Sequence, residues 1–243
     1  MLDNNLEENT IAEIVADNYK TADVFKQHGI DFCCGGKKSV VKVCEQKGLD
    51  LNKLSAELKA VFEAQKPKEN FNAWEMDFLV DYIVNTHHKY IEANVITIQE
   101  YADKVASVHG NYYAEVIEIS HLFKEITEEL IPHMKKEELI LFPNIKRMVL
   151  SKRNEKPFVA SPFGSIENPI STMEDEHDGA GDIIKKIAAL SNNFQPPADA
   201  CNTFRVLYAK LEEFQEDLFQ HIHLENNILF PKAIAMEKEW MKG

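Results

Sequence analysis

Apolar residues recur three and four positions apart along four long stretches of the chain, the spacing of amphipathic helices. In the first stretch Val84, His88, Ile91, Val95 and Ile98 share a stripe. Asn72 and Glu75 ahead of it read as a capping box, and "HGN" at 109–111 ends it. The second runs from about Tyr112 to Met148 and places Ile126, Leu130, His133, Glu137 and Ile140 on one face. A polar loop with two prolines and a glycine (151–167) follows. The third opens at Asn168-Pro169, a cap with proline at the first helical position, and its stripe is Ile170, Met173, His177, Ile184 and Ala188. The fourth carries Phe204, Leu207, Leu211, Phe214, Leu218, His221, Glu225 and Ile228. No period-two run bounded by turn residues marks a strand. The pattern predicts an all-α fold whose main part is a four-helix bundle.

The polar stretch "EAQKPKEN" (63–70) separates this region from the first part of the chain. It divides a small helical domain, 1–66, from the bundle, 67–243. The first segment has nine basic and eleven acidic residues, so most of the net charge of −13 lies in the bundle. A chain this acidic lacks the basic footprint of a nucleic-acid binder. No apolar run approaches the roughly 18 residues of a membrane helix, and "MLDNNLEENT" is no signal peptide. Four irregularly spaced cysteines are too few for a disulfide scaffold. These features point to a cytoplasmic, reduced protein and leave a homodimer open.

Two eleven-residue segments almost repeat: "HMKKEELILFP" (133–143) and "HIHLENNILFP" (221–231). Residues four apart on a helix differ by about 40° in direction, so His133/Glu137 and His221/Glu225 each share a face, inside apolar stripes. Polar groups at core positions are costly unless something satisfies them. The two other helices each add an inward His, His88 and His177. The spacing repeats as well, 45 residues from His88 to His133 and 44 from His177 to His221. The bundle therefore reads as two similar hairpins. Four His and two Glu converging on a bundle core make a dinuclear metal site. Two bridging carboxylates and two imidazoles would give each metal four protein ligands, and a solvent bridge a fifth. Nitrogen and carboxylate ligation without thiolate suits iron, with manganese as the alternative. "HHKY" offers both His87 and His88, and the stripe favours His88. Glu129 and Asp217, each four residues before a ligand His, and Glu176, beside His177, are candidates to accept the far ring N–H of a ligand. The alternative for these carboxylates is a solvent-facing role.

Cys33 and Cys34 are adjacent and followed by Gly35-Gly36. Adjacent cysteines rarely bridge one another. They are suited to mixed disulfides, a soft metal or a partner's cluster; the plain alternative is two small buried apolar side chains. Together, "GIDFCCGG", "HMKKEELILFP", "MEDEHDGAG" and "HIHLENNILFP" resemble the iron–sulfur cluster repair di-iron proteins, the Repair of Iron Centers family, over nearly the full length. The resemblance implies a short Cys-Cys domain followed by a hemerythrin-like up-down bundle. It also implies two iron ions, bridged by an oxo group and held by His88, His133, Glu137, His177, His221 and Glu225. The implied role is repair of iron–sulfur clusters damaged by nitric oxide or peroxide, through iron donated to apo or damaged iron–sulfur proteins. Competing readings are a carrier or sensor of oxygen or nitric oxide, and a di-iron reductase or peroxidase. No rubredoxin-like CxxC pair and no GxGxxG supplies electron delivery, and the cysteine segment favours the iron donor over a conventional enzyme.

Overall fold

The computed structural model describes residues 7–33, 35–64, 70–156, 161, 163–241. The chain forms two compact units, Met1–Leu79 with Ile222–Gly243, and Val80–His221. The proposed boundary at residues 66 and 67 lies outside the described residues, as does Cys34. Among the described residues there is no strand, only the isolated bridges Thr10–Ser39 and Ser161–Gly164.

The first unit begins with four short helices, α1 (Ile11–Asp17), α2 (Thr21–Gln27), α3 (Val40–Lys47) and α4 (Leu51–Ala64). Thr10 caps α1 reciprocally with Glu13: Glu13 N donates to Thr10 Oγ1 at 3.2 Å and Thr10 N donates to Glu13 Oε2 at 2.8 Å. Ile11, Ile14, Phe25, Leu54 and Leu58 are fully buried among them. Between α2 and α3 the Gly36 backbone presses on α1, whose Ala12 N donates to Gly36 O at 2.9 Å. A Cβ at Gly36 would lie 2.8 Å from Phe32 O and 3.0 Å from Ala12 Cβ. This glycine thus permits a close backbone approach, a packing reason that spacing alone does not reveal.

The bundle helices contain π turns. α5 (Met76–Ile83) passes through a π turn (Val84–His88) into α6 (Lys89–His109). α7 (Glu115–Lys136) passes through a second (Glu137–Leu141) into α8 (Phe142–Arg153). α9 (Glu167–Leu190) is α-helical throughout. α10 (Asn202–Leu224) passes through a third π turn (Glu225–Leu229) into α11 (Phe230–Trp240). The expected capping box at Asn72 is absent: Phe71–Ala73 form a 3-10 turn and α5 begins only at Met76. α9 begins one residue before its expected cap, and Asn168 instead donates its amide to Phe163 O at 2.9 Å. The stripes on α9 and α10 are buried at every expected position, from Ile170 to Ala188 and from Phe204 to Ile228. On the second bundle helix the stripe slips. Ile140 is 51% exposed and Leu141 is buried, both inside the π turn, whereas Ile228, the counterpart of Ile140 in the third π turn, stays buried with Leu229. The first helix slips likewise, with Ile83 buried and Val84 only half-buried.

Candidate metal centre

The repeated sequence has a backbone meaning. In each copy the fifth residue, Glu137 or Glu225, opens a π turn, and its carbonyl accepts the N–H of Phe142 or Phe230, five residues on. The residue after that Phe is proline, Pro143 or Pro231. Proline has no N–H, so the α-type bond to the carbonyl four residues back, Leu139 or Asn227, cannot form. The "LFP" ending thus weakens the α register where the wider turn occurs. The first π turn has no proline; there Lys89 N donates to Val84 O.

His88, His133, Glu137, His177, His221 and Glu225 are all buried, five of them completely. Their ligand atoms form two groups, His88, Glu137, His221, Glu225 and His133, Glu137, His177, Glu225, within each of which all lie within 4.8 Å of one another. The two carboxylates are common to both groups, the arrangement of two cation positions sharing two bridges. His88 Nε2 and His133 Nε2 each lie 3.4 Å from Glu137 Oε2. His133 Nε2 and His177 Nε2 are 2.9 Å apart. The ring centroid of His221 is 4.9 Å from that of His88 and 6.0 Å from that of His177.

The opposite ring nitrogens of His88 and His133 point to carboxylates. His88 Nδ1 donates to Glu138 Oε1 at 2.9 Å and His133 Nδ1 donates to Glu176 Oε2 at 2.7 Å. A hydrogen held on Nδ1 leaves a lone pair on Nε2, the orientation that carboxylate–histidine–metal triads use. The Nε2 lone pairs of His88 and His133 face the buried Glu137 carboxylate, an arrangement that is repulsive and costly to desolvate. Cations between them would remove both penalties, so the donor set fits a pair of metal ions. Partial burial pushes the carboxyls of Glu138 and Glu176 up. Hydrogen bonds from Lys135 and His88 to the first, and from Lys136 and His133 to the second, outweigh it and hold both below the usual carboxylate range.

The other candidates divide. Glu176 contacts His133 rather than its neighbour His177. Asp217 pairs with His87, its Oδ1 2.9 Å from His87 Nδ1, and not with His221 four residues on. Glu129 is exposed. His87 is buried and its ring stacks on His221 at 5.9 Å and 5°, yet it belongs to neither ligand group. Glu138 escaped the reading of spacing. The doubled Glu of "KKEEL" was its signal, since the residue after an inward Glu turns about 100° toward the neighbouring helix. His223, between His221 and Glu225, is fully buried, which pushes its pKa down to about 3. Cys33 is buried, and both its N–H and its thiol donate to Asp31 Oδ1, at 3.0 and 3.1 Å. No helix among the described residues is long and apolar enough to cross a membrane.

Comparison with known proteins agrees with this geometry. A hemerythrin HHE cation binding domain matches residues 79–233, and a domain of unknown function named ScdA_N matches residues 7–62. Iron-sulfur cluster repair protein YtfE of Yersinia pseudotuberculosis serotype O:1b is 35% identical over 218 residues, 90% of this chain and 93% of the relative. That of serotype IB is 36% identical over 214 residues, covering 88% and 91%, and that of Yersinia pestis strain Pestoides F is 35% identical with coverage of 90% and 93%. A domain match over more than half of the chain, with relatives aligned along nine-tenths of it, shows that the chain belongs to the hemerythrin HHE cation-binding family, among the iron–sulfur cluster repair proteins.

Proposed function

We propose that this protein is a non-haem di-iron protein that repairs or protects iron–sulfur clusters damaged by nitrosative or oxidative stress, donating iron from a labile centre. The observation that carries this reading is the pair of buried four-residue groups sharing Glu137 and Glu225. Four imidazoles and two carboxylates suit iron by donor type. His88, His133, His177 and His221 would be terminal ligands, and Glu137 and Glu225 bridges. Glu138 and Glu176 would orient His88 and His133 and raise their basicity. Cys33 and Cys34 would pass iron to a client or contact its cluster, since a thiolate is a soft ligand. The clients would be apo or damaged iron–sulfur proteins, met in the cytoplasm.

Anaerobic purification, metal counting and incubation with an apo iron–sulfur protein test the reading. Two irons per chain are expected, with loss of iron from the donor matching cluster assembly in the acceptor. Iron that stays bound and reversibly takes up oxygen would overturn donation in favour of a carrier.

A further inference from the structure

We infer that Asn227 is the positioning residue that ties the thiol segment to the metal centre, so that metal at Glu225 governs the reactivity of Cys33. This rests on the iron-donor reading of the thiols. Asn227 is the third residue of the π turn that Glu225 opens. Its side-chain amide donates to Phe32 O at 3.3 Å and Cys33 O at 3.2 Å, and lies 3.0 Å from His223 Nδ1. One NH2 group therefore reaches the carbonyls on both sides of the Cys33 Cα and a fully buried imidazole on its own helix. The Phe32 ring meets the His223 ring edge to face, centroids 6.1 Å apart. The Asp31 carboxylate holds Cys33 within the same segment.

Comparison of the two repeats isolates these residues. Glu225 corresponds to Glu137, His223 to Lys135 and Asn227 to Leu139. In the first copy Lys135 is a partly exposed cation bound to Glu92 and Glu138, and Leu139 is 73% exposed. In the second copy the same two positions carry the buried His and the amide that hold the thiol segment. The repeat departs from itself where the segment is held.

The turn couples the two. A metal on the Glu225 carboxylate fixes the residue whose carbonyl closes the π turn. Loss of that metal frees the turn to tighten, which draws the Asn227 amide off its acceptors and releases the Cys33 backbone. Coupling of this kind is reciprocal: opening the thiol segment loosens metal at Glu225. Thiols are then presented as iron becomes available.

Alkylation of Cys33 by iodoacetamide, followed by peptide mass spectrometry on the full-length protein, tests the coupling. Cys44, buried in α3, is the control for unfolding of the small domain. Stripping iron from the wild type should speed Cys33 labelling by about tenfold, the equivalent of one or two hydrogen bonds. Asn227→Asp keeps the shape and loses the donors. The variant, kept loaded by excess iron, should label at the rate of stripped wild type with Cys44 still slow, and its iron affinity should fall by a similar factor. Asn227→Leu, which adds no charge, gives the same reading if the Asp variant labels Cys44 as fast as Cys33. A persisting iron-dependent difference at Cys33 in a folded variant overturns the inference, as does equal labelling of loaded and stripped wild type. Failure of the iron-donor reading looks different: a Cys33/Cys34→Ser double variant would restore clusters normally while the wild-type labelling pattern stayed intact.

Discussion

Replacing Glu138 isolates the support behind one proposed ligand, His88. Glu138→Ala removes the acceptor from His88 Nδ1, 2.9 Å away, and replaces no member of the two buried groups. A hydrogen bond to a charged group contributes about 1.5–3 kcal/mol, which corresponds to about 10–100-fold in affinity, the range that such supporting partners show. Lys135 keeps Glu92 at 2.7 Å, so no buried cation is stranded. With Glu138 21% exposed, water can reach the vacated N–H, so the metal-free protein should lose no more than about 1 kcal/mol. Glu138→Gln keeps an acceptor without the charge and should cost about 3–10-fold, roughly half the energy. Glu92→Ala breaks only the outer pair of Lys135 and should stay within about twofold. Anaerobic competition for ferrous iron against a chromophoric chelator measures all three, with thermal melting of the metal-free forms alongside. Wild-type affinity in Glu138→Ala, or a larger loss in Glu92→Ala than in Glu138→Gln, would refute the orienting role.

Three further outcomes follow from the same geometry. His88→Ala should lose at least one metal, whereas His87→Ala should retain both and lose stability by about 1–3 kcal/mol through the abandoned Asp217 carboxylate; metal counting and melting of each variant check this. Pro143→Ala restores an N–H within reach of the Leu139 carbonyl, favouring the α register by about 1 kcal/mol, so iron affinity should fall about fivefold while the metal-free protein melts higher. In the metal-free protein the folded-state pKa values of Glu138 and Glu176 lie below the ordinary 4.5. Their contribution is complete above that value and lost as pH falls through the folded ones. Melting temperature should therefore drop more steeply below about pH 4.5 in wild type than in a Glu138→Gln/Glu176→Gln variant.

What the sequence reveals depends on whether a helix keeps its count. α9 and α10 are regular, and a 3.6-residue period assigns their buried faces residue by residue. In the second bundle helix the same arithmetic fails inside the π turn, with Ile140 exposed and Leu141 buried, although Ile228, the counterpart of Ile140 in the third π turn, stays buried. The six inward His and Glu residues were legible because each must face the core, a property of its own helix. Their supporting carboxylates were less so. Counting back four residues selects Glu129 and Asp217, but the contacts to Nδ1 of His88 and His133 come from neighbouring helices, through Glu138 and Glu176. Which helix faces which, and at what height, is set by packing that no single stripe records. The grouping of Ile222–Gly243 with the first 79 residues is equally invisible, because α10 carries one uninterrupted pattern across that division.

The π turns also bear on tolerance to changes in chain length. Removing one residue from the interior of an α-helix turns everything beyond it by about 100° and carries the downstream apolar face into solvent. A π turn already holds one residue more than the α count. Deleting exposed Leu139 or Ile140 would let Glu137–Leu141 close as an ordinary turn, leaving Phe142, Ile145 and Met148 on the face they already bury. The loss would fall on the seat of Glu137 and spare the rest of the helix. Such a deletion variant should fold without holding its metals, separating the bundle's architecture from its chemistry by a single codon.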